Sequence, residues 1–319
     1  MKQHGVQARK FTFLHKPLSL PKMKSIKEIN TDHLIGQDVG TCTILRELAR
    51  GGMAIVFIAY QRTLKRQIAI KILPKALITS TTIQFFHQEA EAAAILSHPN
   101  IIPIYEIGET KDFLFFTMQL IHGQPLSYFI KKAKINIIPS KRLLPLKVTL
   151  LTCIKILNAL DYAHSQDIVH RDIKPGNILI EKNSNRPIIM DFGIAKISRG
   201  PSSDSSMLLG TPTYIAPEQI LKKEVDGRAD IYAIATMLFE MITPKLPFPE
   251  ARTVIDLLNK KIILKNDYFQ KKPSELNPNL NKNMDKIIFK ALSFNPERRF
   301  KTCLEFSKYL KWYINSYLK

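Results

Sequence analysis

The chain has 319 residues and a hydrophobic fraction of 45%, enough for one large domain or two lobes around a buried core, and too apolar for a disordered chain. Its formal charge of +20 comes from Lys and Arg spread along the sequence without an RNP, zinc-finger or basic-zipper pattern, so specific nucleic-acid binding is not expected. No apolar run is long enough to span a bilayer, there is no uninterrupted signal-peptide core, and Cys42, Cys153 and Cys303 lack the spacing of a zinc site or disulfide framework; a cytoplasmic protein with free thiols is the expectation.

Residues 1–36 carry Lys2, Arg9, Lys10, Lys16, Lys22, Lys24 and Lys27, with Pro17 and Pro21 and no sustained periodicity. They read as a basic, poorly ordered tail. From 39 to 72 the pattern becomes β-rich. Strands are predicted over 41–48, 55–60 and 67–72, joined by Ala49-Arg50-Gly51-Gly52 and by 62–66, as an antiparallel meander. A helix over 79–97 follows, with Ile83, Phe86, Ala90, Ala93 and Ala94 at helical spacing and a stop before His98-Pro99. Two further strands, 101–107 and 113–120, bring the small sheet to five.

Beyond Gly123 the chain is mainly helical, with helices predicted over 126–133, 146–165, 230–242, 253–263, 282–294 and 302–317 and an unread loop over 134–145. Between the second and third of these lies the stretch 168–193, containing His170-Arg171-Asp172, Lys174, Asn177 and Asp191-Phe192-Gly193. Short strands at 178–180 and 188–190 around a polar turn at 183–186 would bring Asn177 and Asp191 together. Two carboxylates and an amide beside a lysine are hard oxygen ligands next to a cation, a set that suits magnesium carrying substrate phosphates.

Other residues are ambiguous alone. Arg50-Gly51-Gly52-Met53-Ala54 is a turn whose bare backbone could approach phosphate, but two glycines in a turn are more often just a turn. Lys71 ends a strand and could snorkel to solvent or pair with a helix carboxylate. Glu89 and Glu91 compete for it, and their side chains diverge by roughly 200° around a helix, so only one can face the sheet.

Taken in order, Gly51-Gly52-Met53, Ala69-Ile70-Lys71, Glu89, His170-Arg171-Asp172-Ile173-Lys174-Pro175-Gly176-Asn177, Asp191-Phe192-Gly193, Gly210-Thr211-Pro212 and Ala216-Pro217-Glu218 resemble the eukaryotic-type serine/threonine protein kinases, bacterial members above all. The resemblance implies an α+β, bilobal fold: a small lobe of five antiparallel strands and one helix over 37–118, a hinge at 119–122 and a mainly helical lobe over 123–319. It implies ATP between the lobes, held by Ala49, Arg50, Gly51, Gly52, Met53, Ala54, Val56, Ala69, Met118, Gln119, Ile121 and Leu179. Lys71 would contact the phosphates and pair with Glu89. Asn177 and Asp191 would hold Mg2+, with Mn2+ as a substitute.

By the same matching Asp172 is the catalytic base and Lys174 offsets the charge of the transferring group. An ordinary aspartate, with a pKa of about 3.9, is far too weak to deprotonate a serine in advance, so its work is positional and suits a loose phosphoryl-transfer transition state. Gly210-Thr211-Pro212-Thr213-Tyr214 resembles a serine/threonine substrate platform, with tyrosine specificity the weaker reading. Glu218 with Arg299, and Asp230, match scaffold positions. Arg171 would receive a loop phosphate on Ser205 or Ser206, with Ser202 and Ser203 as further candidates and a transient dimer for autophosphorylation in trans. The partners implied are ATP and protein hydroxyls.

Ala49 and Ala54 stand where the family's glycine loop has glycine, and Ala233 and Ala235 replace a usual Ser and Gly. These departures make a nucleotide-regulated scaffold of weak activity, a pseudokinase, the rival reading. The presence of Lys71, Glu89, Asp172, Asn177 and Asp191 together argues against it.

Overall fold

A computed structural model describes residues 26, 30–51, 54–75, 83, 90–91, 93–138, 141–192 and 212–318. The first lobe is an antiparallel sheet of six strands, in the order β1-β2-β3-β4-β6-β5. They are β1 (Asp38–Val39), β2 (Cys42–Arg50), β3 (Ile55–Gln61), β4 (Arg66–Pro74), β5 (Ile104–Glu109) and β6 (Phe113–Met118). Period-two alternation sorts the side chains into two layers. Ile55, Phe57, Ala59, Ile68, Ile70, Ile72 and Phe115 share one core with Cys42 and Ile44. The intervening residues Ala69, Leu73, Leu114, Phe116 and Met118 form a second cluster, with Val56 packed against it. Lys71 falls in this second register, opposite Val56 and Phe116, and so on the face that meets the other lobe.

The strand count exceeds the expected five by β1, which is two residues long and carries no readable alternation. It forms because the chain folds back at Gly40 with φ +56°, letting Gly36 N–H donate to Ile44 O at 2.8 Å and Ile44 N–H to Gln37 O at 2.9 Å. The basic segment 1–36 is also not wholly a tail. Residues 1–25 and 27–29 lie outside the described residues, but Ile26, Thr31 and Leu34 are buried, and the Arg50 guanidinium donates to Ile26 O at 2.8 Å and Thr31 Oγ1 at 2.9 Å. A single 3-10 turn, Asp32–Leu34, gives no periodic signal in a sequence. The predicted strand 101–107 begins only at Ile104, because Pro103 has no N–H to give a ladder. Ile101 instead bridges in parallel to Ile189 of the other lobe.

The second lobe opens on a three-stranded sheet, β7 (Gly123–Pro125), β8 (Ile178–Glu181) and β9 (Pro187–Ile189), followed by helices. These are α1 (Leu126–Lys134), α2 (Leu146–His164), α3 (Arg228–Ile242), α4 (Val254–Leu264), α5 (Lys282–Ala291) and α6 (Cys303–Tyr317). Thr253, Asn281 and Thr302 cap α4, α5 and α6 with side-chain oxygens. α2 and α3 are buried along most of their length and pack on each other and on α6. The predicted helix 79–97 lies mostly outside the described residues, although Ala90 and Ala93 are buried. Among the described residues no helix is long and apolar enough to cross a membrane.

One polar contact is sealed inside this lobe. Arg299 donates to Glu218 in bidentate fashion at 2.6 and 2.8 Å, the two side chains being 0% and 5% exposed. The same guanidinium reaches Arg228 O and Ser293 O, so it ties the turn after Pro217 to the start of α3 and to the segment before α6. Removing one partner leaves a buried uncompensated charge. Glu218→Ala is expected to destabilise the helical lobe by about 3–5 kcal/mol in urea unfolding, and Glu218→Met with Arg299→Met to recover much of that loss; equal losses in both would contradict the assignment.

Candidate active site

The loop from His164 to β8 is built around the carboxylate of Asp230, buried in the first turn of α3. Its Oδ2 sits 2.8 Å from His164 Nε2 and accepts from His170 N–H at 2.9 Å, while Oδ1 accepts from Arg171 N–H at 2.8 Å. Burial alone would raise the Asp230 pKa, but the hydrogen bond and positive potential of His164, with the contributions of His170, outweigh it and hold the group below the usual carboxylate range. The two backbone donors fix Arg171 at φ +63°, a left-handed conformation that costs a non-glycine residue about 1–2 kcal/mol.

That turn aims the side chains that follow. Asp172 Oδ2 accepts from Lys174 Nζ at 2.7 Å and from Asn177 Nδ2 at 3.1 Å. Asn177 Nδ2 also donates to Asp172 O at 2.8 Å, and Met190 N–H donates to Asn177 O at 2.9 Å, joining the loop to the residue between β9 and Asp191. With its nitrogen committed to Asp172, Asn177 has Oδ1 to offer a cation. The predicted pair of strands is present, closed by Glu181 N–H to Arg186 O at 3.0 Å, and it brings Asn177 and Asp191 together as the spacing implied.

His170 locks the two segments from behind. It is fully buried, its Nδ1 accepts from Asp172 N–H at 3.2 Å, and its Nε2 is 3.0 Å from Met190 O, which assigns the proton to Nε2. Its ring lies 4.7 Å from that of Phe192. Burial pushes the His170 pKa down despite the neighbouring carboxylates, so the imidazole is neutral.

Asp191 is the second residue of the site held left-handed, at φ +55°. Its Oδ1 lies 2.5 Å from Lys71 Nζ, an ion pair between the two lobes in which Lys71 is 16% exposed and Asp191 38%. Glu89, the partner expected for Lys71, lies outside the described residues; Glu91, the competing candidate, is exposed. Gly52, Met53, Gly193, Gly210, Thr211, Ser202, Ser203, Ser205 and Ser206 also lie outside the described residues. Among the described residues no three His, Cys, Asp or Glu side chains gather into a self-contained metal site. The Asp191 carboxylate and the Asn177 amide oxygen are a sparse hard-oxygen set, the kind that fits Mg2+ keeping water and phosphate as its remaining ligands.

Next to this polar set, Val56, Ala69, Met118 and Leu179 belong to one apolar cluster with Ile121. Ala69 and Met118 are cross-strand partners, and Gln119 N–H donates to Pro103 O at 3.2 Å at the start of the hinge. Ala49 pairs with Val56 beside a register shift in β2. Gly51 N–H donates to Ala54 O at 2.8 Å, and Ala54 is buried in the same cluster. The Arg50 side chain points away from this cluster, to Glu47, Ile26 O and Thr31, so only its backbone is left for the nucleotide role expected of it.

Several site residues were not legible in advance. Gln219 donates from Nε2 to Arg171 O at 2.8 Å and accepts from Ala216 N–H at 3.0 Å, coupling the segment after Pro212 to the Asp172 loop. Tyr214 hydrogen-bonds Glu240 through its hydroxyl, and Lys134 pairs with that carboxylate at 2.7 Å. Gln219 had the Ala216-Pro217-Glu218 motif beside it as a signal, whereas Glu240 and Lys134 had none.

The comparisons with known proteins agree with this geometry. The sequence profile described as the protein kinase domain matches residues 42–309. The serine/threonine-protein kinase Pkn1 of Myxococcus xanthus is 31% identical over 288 residues, covering 88% of this chain and 39% of that protein. The tyrosine-protein kinase MasK of the same species is 32% identical over 295 residues, covering 88% of this chain and 44% of its own. This chain therefore spans well under half the length of both. A crystal structure of the Mycobacterium tuberculosis PknI kinase domain superposes with a TM-score of 0.67 at 26% identity, covering 87% of this chain and 97% of that one.

The neutral, buried His170 gives a test of the loop. Its folded pKa lies below the unfolded value of about 6.5, so its contribution to stability is complete above that pH and falls away as pH drops below it. The thermal midpoint of the wild type is expected to fall more steeply between pH 7 and pH 5 than that of His170→Phe; parallel slopes would show that His170 is not buried as the neutral base.

Proposed function

The chain belongs to the protein kinase family, and from that membership we propose that it transfers the γ-phosphoryl group of ATP to serine or threonine hydroxyls of proteins. The observation that carries the proposal is the convergence on one cleft of Lys71, from the sheet, with Asp191, Asn177 and Asp172, from the helical lobe. Each group has a distinct task. Lys71 supplies a positive charge for the nucleotide phosphates, beside the carboxylate it already faces. Val56, Ala69, Met118 and Leu179 supply an apolar sandwich for a flat base. Asn177 and Asp191 would hold magnesium, which when bound shields the charge on the phosphate oxygens.

Asp172 orients the acceptor hydroxyl and takes its proton late, held in place by the Asn177 amide at one oxygen. Lys174, at 2.7 Å from the same carboxylate, stands ready to stabilise negative charge on the group in transit. Autophosphorylation of Ser205 or Ser206, read by Arg171, belongs to this proposal as its regulatory part. The serine/threonine choice rests on Lys174 and on the Pro212-Thr213-Tyr214 platform, with a kinase of tyrosine among the relatives as the alternative outcome.

The second reading, a nucleotide-regulated scaffold, draws on Ala49 and Ala54. Against it, Ala54 is buried among apolar neighbours, where its methyl adds packing and removes no catalytic group.

Incubation of the purified protein with labelled ATP, magnesium and dephosphorylated casein is expected to yield phosphoserine or phosphothreonine. Asp172→Asn should lower kcat by about 10²–10⁴-fold with little change in KM for ATP, and Asp191→Asn should abolish transfer. Nucleotide binding by the wild type with no transfer would establish the scaffold instead; phosphotyrosine alone would overturn the hydroxyl assignment.

A further inference from the structure

Lys261 is the residue of the helical lobe whose placement the catalytic reading leaves unexplained. It sits on α4, three residues after Leu258 on the same buried face, and is 1% exposed. A lysine this deep is uncommon, since its ammonium ordinarily snorkels to water. Here Nζ donates to two backbone carbonyls of one short segment, Thr213 O at 3.0 Å and Ile215 O at 2.8 Å. The rings of Tyr232 and Tyr268 flank it at 5.1 and 5.2 Å from their centroids, so aromatic faces cover the sides that the carbonyls leave open. The nearest charged side chains bearing on it are Arg299, which opposes its charge, and Glu218, which favours it.

The two carbonyls belong to the platform that the substrate would meet. Thr213, Tyr214 and Ile215 lie between Pro212 and the Ala216-Pro217-Glu218 turn. The side chain between the two carbonyls, Tyr214, is held separately by Glu240. Gln219, four residues beyond Ile215, reaches Arg171 O in the Asp172 loop. The platform is therefore pinned from three directions, and Lys261 is the pin that acts on its backbone from α4. We infer that Lys261 is a positioning residue for the protein acceptor: it sets the height and orientation of the 213–215 backbone against which a substrate chain lies, and it has no part in holding ATP. This rests on the protein-kinase reading above.

The chemistry explains why a lysine and not an apolar residue occupies the position. A buried carbonyl without a donor is destabilising, and the two carbonyls on either side of Tyr214, turned inward, would otherwise pull the segment out toward water. Burial pushes the Lys261 amine down to about 7, yet the neutral form still carries two N–H groups for the two carbonyls, so the clamp persists through deprotonation.

Lys261→Met keeps the length and apolar stem within the aromatic sandwich and deletes only the donors. With dephosphorylated casein as the probe, its KM for casein is expected to rise about tenfold, the effect of losing two donors to the platform, while KM for ATP stays within about twofold of the wild type. Its thermal midpoint should fall modestly, because the two carbonyls lose their donor while the apolar stem stays packed between the rings. Lys261→Ala should show the same KM split with a still lower midpoint. An unchanged KM for casein in a folded Lys261→Met would overturn the inference, as would an equal loss in both KM values, which marks a general structural role. A wild type that transfers no phosphate to casein while binding ATP would remove the kinase reading itself, an outcome distinct from either.

Discussion

The polar half of this site depends on a single carboxylate. Asp230 accepts two consecutive backbone N–H groups, from His170 and Arg171, and meets His164 besides. A non-glycine residue held left-handed carries a strain of the same size as the gain from one exposed hydrogen bond. Two donors converging on one ionised, buried acceptor change that balance, since charge-assisted bonds are roughly twice as strong as neutral ones. Arg171 stays at φ +63°, the chain reverses, and Asp172 emerges facing Lys174 and Asn177. The geometry of the proposed base is thus decided on α3, the helix from which Glu240 also holds Tyr214.

A second constraint joins the lobes. Lys71 owes its direction to strand alternation, which puts it on the face of Val56 and Phe116, and Asp191 owes its own to a left-handed turn just after β9. Neither element dictates the other, yet Nζ and Oδ1 meet at 2.5 Å. The backbone reinforces the meeting, because Ile102 N–H donates to Ile189 O and Ile189 N–H to Asn100 O, so the sheet lobe is stitched to β9 two residues before Asp191. A nucleotide entering this cleft would find the lysine and the carboxylate proposed to bind metal already at one spot, which would lower the ordering required on binding.

Much of this was legible in the sequence, and the limits have physical causes. β3, β4, β6 and all six long helices of the second lobe carry long periodic patterns, and their bounds fall within a few residues of expectation. β1 and the turn at Asp32–Leu34 escaped because elements of two or three residues have no period to detect. Pro103 cut a predicted strand short for lack of one N–H. At the site, the residues recognisable by type and order, Asp172, Lys174, Asn177 and Asp191, stand together. What was illegible were the supports that act across sequence separations of 46 to 106 residues: Lys261 on Thr213 and Ile215, Gln219 on Arg171 and Lys134 on Glu240. A buried lysine reads from the sequence as an ordinary exposed one, and only the packing of Tyr232 and Tyr268 distinguishes it.

The alanines in place of glycine are the departure on which an inactive reading would have to stand, and their environment weakens it. Glycine is required where φ is positive or where a backbone must be approached closely. The Ala54 carbonyl accepts from Gly51 N–H, and its methyl is buried beside Ala69 and Met118 in the cluster that would face a base. The methyl therefore adds apolar contact on the base side of the cleft. An alteration of that kind bears on how tightly a nucleotide is held. The groups proposed to carry out transfer are fixed elsewhere, by Asp230, His170 and the Lys71–Asp191 pair. On the proposed reading, affinity and competence are carried by separate parts of the fold, so a change in the loop sequence would tune the first without removing the second.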